Sequence, residues 1–414
     1  MSEPRVEPGD ESLGAETAKL ARAFLRGQTG GGFWNEVLVT LAAFVFAFVL
    51  GGLLIAISDK DVMSKFGYFL AQPGAGLGAA WHKISAAYGA LLAGSVGSWS
   101  ALTETTAQAA PLICAGLGVA LAFRVGLFNI GGQGQAIWGS IAAAFVGFHF
   151  HLPPAIHLPV AVLAGIAAGA VWAGIAGVLR ARFGAHEVIV TIMLNYVASG
   201  LLIWLLSTTL FQRPGRKDPI SPPVDPTAML PSISQRLHVG FLLALVAAVV
   251  VWWILSRTKL GFTIRAVGSN SDAAATAGMN VPTTLTLTMV IAGALCGLAG
   301  TQVVLAPSVQ GAAMSLTIGL VGNVGFNAIT VALLGRSRPL GVVLAGLLFG
   351  ALQAGGLNMQ AVAQTPAELA NVIQAFIVMF VAAPMLVRTI LPFLKARRRV
   401  VPATATARVE EAAA

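Results

Sequence analysis

Charge is scarce in this chain: Asp, Glu, Lys and Arg make up 10% of its 414 residues, against 57% hydrophobic residues and a mean hydropathy of +0.82. A soluble fold needs a polar coat, and long stretches here offer none. The lipid bilayer must therefore be part of the solvent. Cysteine is scarce as well. Cys114 and Cys296 both lie inside apolar runs, where a small hydrophobic residue packs well and no paired thiol framework is suggested. No Gly-Lys pair occurs anywhere, which excludes a phosphate-cradling loop of the G-x-x-x-x-G-K-[ST] type. ATP, if used, is bound by another protein, and no cofactor is expected on this chain. The apolar runs also lack the convergent His, carboxylate, Cys or Ser groups that a hydrolase or transferase requires.

The formal net charge is +9, yet the basic residues fall in short clusters between apolar runs rather than on one compact domain, so nucleic acid is not implied. That pattern reads as topology. Residues 1–36 mix acids, bases, Pro and Gly without an apolar core, which excludes a cleavable secretory signal and suggests a disordered cytoplasmic tail. A crossing helix needs about 20 apolar residues, and the runs 37–57, 102–123, 126–148, 155–179, 187–210, 239–255, 283–306, 321–335, 340–358 and 369–391 qualify, giving about ten transmembrane helices. The transmembrane domain then covers 37–391, followed by a basic cytoplasmic tail over 392–414. Residues 58–101 read as an extracytoplasmic loop with interfacial helices, and 211–237 as a second, Pro-rich outer loop.

With both termini inside, the inner junctions carry Arg124; Arg180 and Arg182; Arg257, Lys259 and Arg265; Arg336 and Arg338; and finally Arg388, Lys395, Arg397, Arg398 and Arg399. That is the positive-inside bias. The loop 211–237 departs from it with Arg213, Arg216, Lys217 and Arg236, partly offset by Asp218 and Asp225. The run 321–335 is interrupted by Gly and Asn, as broken helices lining a cavity are.

The spans do contain uncharged hydrogen-bonding side chains: Asn129, Gln133 and Gln135 around a Gly-rich break, Asn195 mid-span, and later Gln302, Asn323, Asn327, Gln353 and Gln374. Any one amide more readily bridges neighbouring helices than touches a solute, whereas the set suggests a polar, uncharged route. Of these, Asn129, Gln133, Gln135, Asn195 and Asn327 are the candidate pathway residues. His149, His151 and His157 cluster near Pro153 and Pro154 without supporting carboxylates, which favours an interfacial turn over a metal site. Glu104 and Glu187 stand near span starts, where a carboxylate favours the helix dipole.

The inner connection 257–282 is longer than its neighbours. Asn270 or Ser271 can cap a short Ala-rich helix that Gly278 ends, with Arg265 and Asp272 nearby, and this element reads as a docking surface.

Several runs in order carry a family resemblance: Pro111-Leu112-Ile113, Leu121 through Gly131, Glu187 through Tyr196, Gly261 through Gly278, Gly325 through Gly335, and Pro339-Leu340-Gly341. In this order they resemble the permease subunits of bacterial ATP-binding-cassette importers for nucleosides and simple sugars, related to the branched-chain amino acid permeases. The resemblance implies an all-α integral membrane protein with a type II-like importer permease fold. It also implies a separate ATPase subunit gripping a coupling helix, here Gly261 to Gly278 with Arg265, Gly268, Asn270 and Asp272. Further implied partners are a second, homologous permease subunit and an extracytoplasmic solute-binding protein or lipoprotein. Many relatives have Glu where this chain has Gln133 and Asn where it has His186. The expected solute is a nucleoside or another small neutral polar molecule. The same machine carrying sugars or branched-chain amino acids stays open, and a secondary transporter would need ionisable groups at midplane.

Overall fold

The computed structural model describes residues 33–383, apart from Val309 and Ala367. The tails 1–32 and 392–414, and the end of the last expected span beyond residue 383, lie outside the described residues. Among the described residues fourteen α-helices are formed: α1 Phe33–Ser58, α2 Lys60–Phe66, α3 Pro73–Val96, α4 Trp99–Arg124, α5 Gly132–His149, α6 Pro154–Phe183, α7 Glu187–Leu206, α8 Val239–Arg257, α9 Lys259–Ser269, α10 Ser271–Thr276, α11 Val281–Leu305, α12 Val324–Leu334, α13 Pro339–Ala363 and α14 Glu368–Ala382. Four strands of two to four residues pair as β1 Ile220–Pro223 with β4 Ser315–Thr317 and β2 Ser232–Ser234 with β3 Leu237–His238, both antiparallel.

Among the described residues seven helices, α1, α4, α6, α7, α8, α11 and α13, are long and apolar enough to cross a membrane. The third expected span starts late, because 125–131 is not helical and α5 holds only 18 residues. The eighth is reduced to the 11 residues of α12, about 16 Å of helix, too short to cross a hydrocarbon core alone. Within 58–101, read from sequence as a loop with interfacial helices, α3 runs for 24 residues along α13. Its Gly and Ala content lowers hydropathy but allows close approach. Asn358 donates from Nδ2 to Ala90 O at 2.7 Å, and Gly94 lies under the Asn358 side chain.

The chain divides into two units, one of residues 50–378 and one of the segments before and after it. In the smaller unit Phe46 and Phe380 pack with ring centroids 5.8 Å apart. In the larger unit α4 is central, with 78% of its apolar window buried, whereas α7 buries 22% of its own. Small residues set the crossing of α6 and α11. A Cβ on Gly169 would lie 2.6 Å from Gly297 Cα, so the two backbones touch where any side chain would separate them. The loop 211–237 folds into the short strands and a turn over one end of the bundle. Asp225 N–H donates to Gly147 O at 2.8 Å and Leu230 N–H to Leu305 O at 2.9 Å, so the Pro-rich segment is fastened to helix ends.

Candidate functional site

The sequence motif at 124–135 becomes a break between two helices. After Arg124 the chain turns on Gly126, whose φ of +85° suits glycine, and Leu127 N–H donates to Ala122 O at 3.0 Å while Gly126 N–H donates to Phe123 O at 3.2 Å. This paired closure satisfies the last carbonyls of α4. The chain then runs without regular structure until α5 begins at Gly132.

Four of the five candidate pathway amides meet around this break. Asn129 and Gln135 exchange two hydrogen bonds, Nδ2 to Oε1 at 3.1 Å and Nε2 to Oδ1 at 3.0 Å, and Asn129 Oδ1 also accepts from Gly131 N–H at 3.0 Å. Asn195 reaches in from α7, accepting from Gly134 N–H at 2.8 Å and donating to Ile130 O at 2.9 Å. Gln133 joins the start of α5 to the start of α12, donating to Gly322 O at 2.7 Å and accepting from Gly325 N–H at 2.9 Å. All four side chains are buried. Their donors and acceptors serve the loose backbone at two helix starts, where intrahelical partners are missing.

Asn327 stands apart. It lies half-buried on α12, and among the described residues its side chain has no hydrogen bond to the amide cluster. Asn323 just before this helix and Phe326 on it are exposed, and Phe128 is exposed within the break. Sequence reasoning passed over these aromatics because a Phe in an apolar run carries no signal of its own. It also passed over Trp138 and Trp172, whose rings pack at a tilt with centroids 5.0 Å apart and whose buried indole N–H groups have no acceptor among the described residues. Gln302 donates to Gly240 O at 2.9 Å and serves as a bridge between α11 and α8.

Histidine and glutamate find structural roles. His157 is buried between Thr227 Oγ1 at 2.7 Å and Val146 O at 3.0 Å, and no metal-binding group of side chains occurs among the described residues. Glu187 opens α7 as expected and pairs with Arg180 at 3.3 Å. Glu104 sits in the second turn of α4 rather than at its start, and is held instead by Arg236 at 2.7 Å. The pair ties the segment 211–237 to the bundle.

The connection 257–282 holds two helices, α9 and α10. Thr258 caps α9 by accepting from Gly261 N–H at 3.1 Å, and Asn270 caps α10 by accepting from Asp272 and Ala273 N–H at 3.0 and 2.9 Å. Gly278, at φ +82°, follows the end of α10. Gly261 and Gly268 have no room for a Cβ: the first abuts Ile254 and Leu255 backbone, the second the carbonyl of Arg124. Ile264 and Val267 are buried, while Arg265 and Asp272 are exposed on the outer face. The segment is thus pressed onto the end of α4 and offers charged side chains outward.

Residues 101–382 match the profile of a family described as the permease component of the branched-chain amino acid transport system. The chain belongs to that permease family. Among this permease's relatives is the guanosine ABC transporter permease protein NupP of Bacillus subtilis, 38% identical over 87% of this chain and 97% of the relative. The nucleoside ABC transporter permease protein NupB of Lactococcus lactis is 35% identical over 87% of this chain and 95% of the relative. The guanosine ABC transporter permease protein NupQ of Bacillus subtilis is 29% identical over 60% and 79% respectively. No solved structure matches the chain. This permease is a multi-pass membrane transport component built around an amide-pinned helix break.

Proposed function

We propose that this permease is a transmembrane subunit of an ATP-binding-cassette importer in the bacterial plasma membrane, admitting nucleosides or closely related neutral polar solutes by alternating access. The observation that carries the reading is the 38% identity to a guanosine permease across 97% of that protein. Similarity to both NupP and NupQ, two permeases of one organism, supports pairing with a sister permease subunit. A separate ATPase subunit and an extracytoplasmic solute-binding protein or lipoprotein complete the machine.

With both termini cytoplasmic, α9 and α10 face the ATPase. Its ATP-driven closure moves this pair, and Gly268 passes the displacement to the end of α4 and the break beyond it. Asn129, Gln133, Gln135 and Asn195 hold the break in shape, while solute passes along the open side of α12, where Asn323, Phe326 and Asn327 stand. Amides match ribose hydroxyls and ring heteroatoms, and an aromatic face suits a nucleobase.

Labelled guanosine uptake in cells expressing the chain with its ATPase, sister permease and binding lipoprotein tests the reading. Uridine and guanosine should compete, while ribose and leucine should not. Uptake blocked by leucine, or uptake that persists without the ATPase, would overturn it.

A further inference from the structure

We infer that Arg124, Arg265 and Arg338 form a headgroup site for an anionic glycerophospholipid where α4 and α8 end and α13 begins. Three distant parts of the chain converge there: Arg124 is the last residue of α4, Arg265 stands on α9, and Arg338 immediately precedes Pro339 of α13. With Trp252, Leu255 and Leu340 they line an open cavity of about 480 Å³. The charges of Arg265 and Arg338 both act on Arg124. Among the described residues none of the three forms an ion pair, whereas Arg180, Arg216, Arg236 and Lys83 each have a carboxylate.

Arg124 is held in this arrangement, its Nε donating to Ser337 O at 3.0 Å. Behind that carbonyl the chain adopts the left-handed region at two successive non-glycine residues, Arg336 at φ 52° and Ser337 at φ 49°. Backbone of this kind persists only where its surroundings enforce it. Three cations gathered without a counter-ion among the described residues repel one another, and a phosphate placed among them turns that repulsion into charge-assisted hydrogen bonds.

Depth and apolar surface select the source of the phosphate. α4, α8 and α13 are all long and apolar enough to cross a bilayer, so their ends reach headgroup level. Trp252 is 51% exposed and Leu340 73% exposed beside the arginines, an indole and a leucine placed for the glycerol and upper acyl chain. A carboxylate from a partner protein would match the charges and leave this apolar wall unused. A phospholipid meets both, as basic pockets between membrane helices do. Because Arg265 rides on α9, bound lipid would bias the position of that segment. The inference does not depend on which solute is carried.

The full chain, purified and placed in phosphatidylcholine nanodiscs with graded phosphatidylglycerol, tests this by native mass spectrometry of retained lipid. Wild type should retain phosphatidylglycerol in preference to phosphatidylcholine. Arg338→Gln and Arg265→Gln should each weaken retention about fivefold, near 1 kcal/mol per basic residue at the surface, and Arg338→Lys should recover most of it. Arg338 makes no side-chain cap on α13, so its variants should remain folded, and Arg216→Gln should leave retention unchanged. Equal retention by wild type and variants overturns the site. So does displacement of the lipid by millimolar inorganic phosphate without any lipid preference. Lost capture of the ATPase subunit by Arg338→Gln with lipid retention intact would assign the pocket to a protein carboxylate instead.

Discussion

Gln133 and Gly325 are joined across 192 residues of chain by a 2.9 Å hydrogen bond in which the glutamine side-chain oxygen accepts from the glycine N–H. Gly325 is at the second position of α12, where the backbone N–H has no carbonyl within its own helix. The other half of the amide donates to Gly322 O at 2.7 Å. One side chain therefore serves both sides of a helix start that is too short to stabilise itself.

Replacing Gln133 separates the two halves of that contact. Gln133→Glu keeps the acceptor but turns a second oxygen toward the Gly322 carbonyl, and Gln133→Ala loses both bonds. Each lost buried partner costs about 1–3 kcal/mol, so thermal stability in detergent should fall in the order wild type, Glu, Ala. An alanine variant as stable as wild type would show that the amide is dispensable.

The crossing of α6 and α11 should not tolerate a methyl group. A Cβ on Gly297 would collide with the Gly165 carbonyl, whereas one on Gly200 meets nothing within 4 Å. Gly297→Ala should destabilise by about 1–3 kcal/mol and broaden the size-exclusion peak, with Gly200→Ala near neutral. Equal profiles for the two variants would contradict the close approach.

His238 makes stability depend on pH. It is buried before α8, and its Nδ1 accepts from Gly240 N–H at 3.1 Å, which requires the unprotonated ring. Burial, and then the charge of Arg236, push its pKa down to about 4, with Glu104 opposing. The folded pKa lies below the unfolded value near 6.5, so the contribution is complete above about pH 6.5 and is lost as pH falls towards 4. The loss is of order 3 kcal/mol. His238→Asn keeps an acceptor without the titration, and its melting temperature should change less than that of wild type between pH 7.5 and 4.5. Parallel pH profiles would remove His238 as the cause.

Arg265→Glu should reduce uptake about tenfold, near 1.4 kcal/mol, while leaving the protein folded, because the side chain is exposed. Uptake and size-exclusion profile are measured together. Wild-type uptake would dismiss α9 as the element that receives the ATPase.

The segment 211–237 depends on Glu104 and Arg236, paired at 2.7 Å and mostly shielded from water. Glu104→Gln should loosen it, seen as faster proteolysis within 211–237 at unchanged helix content. Removing one partner of a shielded pair leaves the other charge uncompensated. Unchanged cleavage rates would place the hold elsewhere.

Much of the architecture was legible in the residues alone. The runs 37–57, 155–179, 239–255, 283–306 and 340–358 fall within α1, α6, α8, α11 and α13, or overlap them to within a few residues, because a bilayer rewards apolar length whatever the packing. The break at 125–131, the short α12, and the capping of α10 by Asn270 are likewise local, set by glycines and amides acting on their own neighbourhood. α3 was not legible as a long helix, since small residues that suit packing on α13 look like loop in a hydropathy profile.

What the sequence by itself determined is therefore a lipid-soluble helical chain, sparse in charged residues, with polar interruptions at known positions. Only the tertiary structure decided what those interruptions do. It buried Asn129, Gln133, Gln135 and Asn195 around the break with each side chain hydrogen-bonded, left Asn327 apart from them, and gathered three arginines from separate segments around one cavity. The physical reason is range: apolar burial and capping act within a few turns of one helix, whereas a hydrogen bond between residues 192 apart exists only once the helices between them have packed.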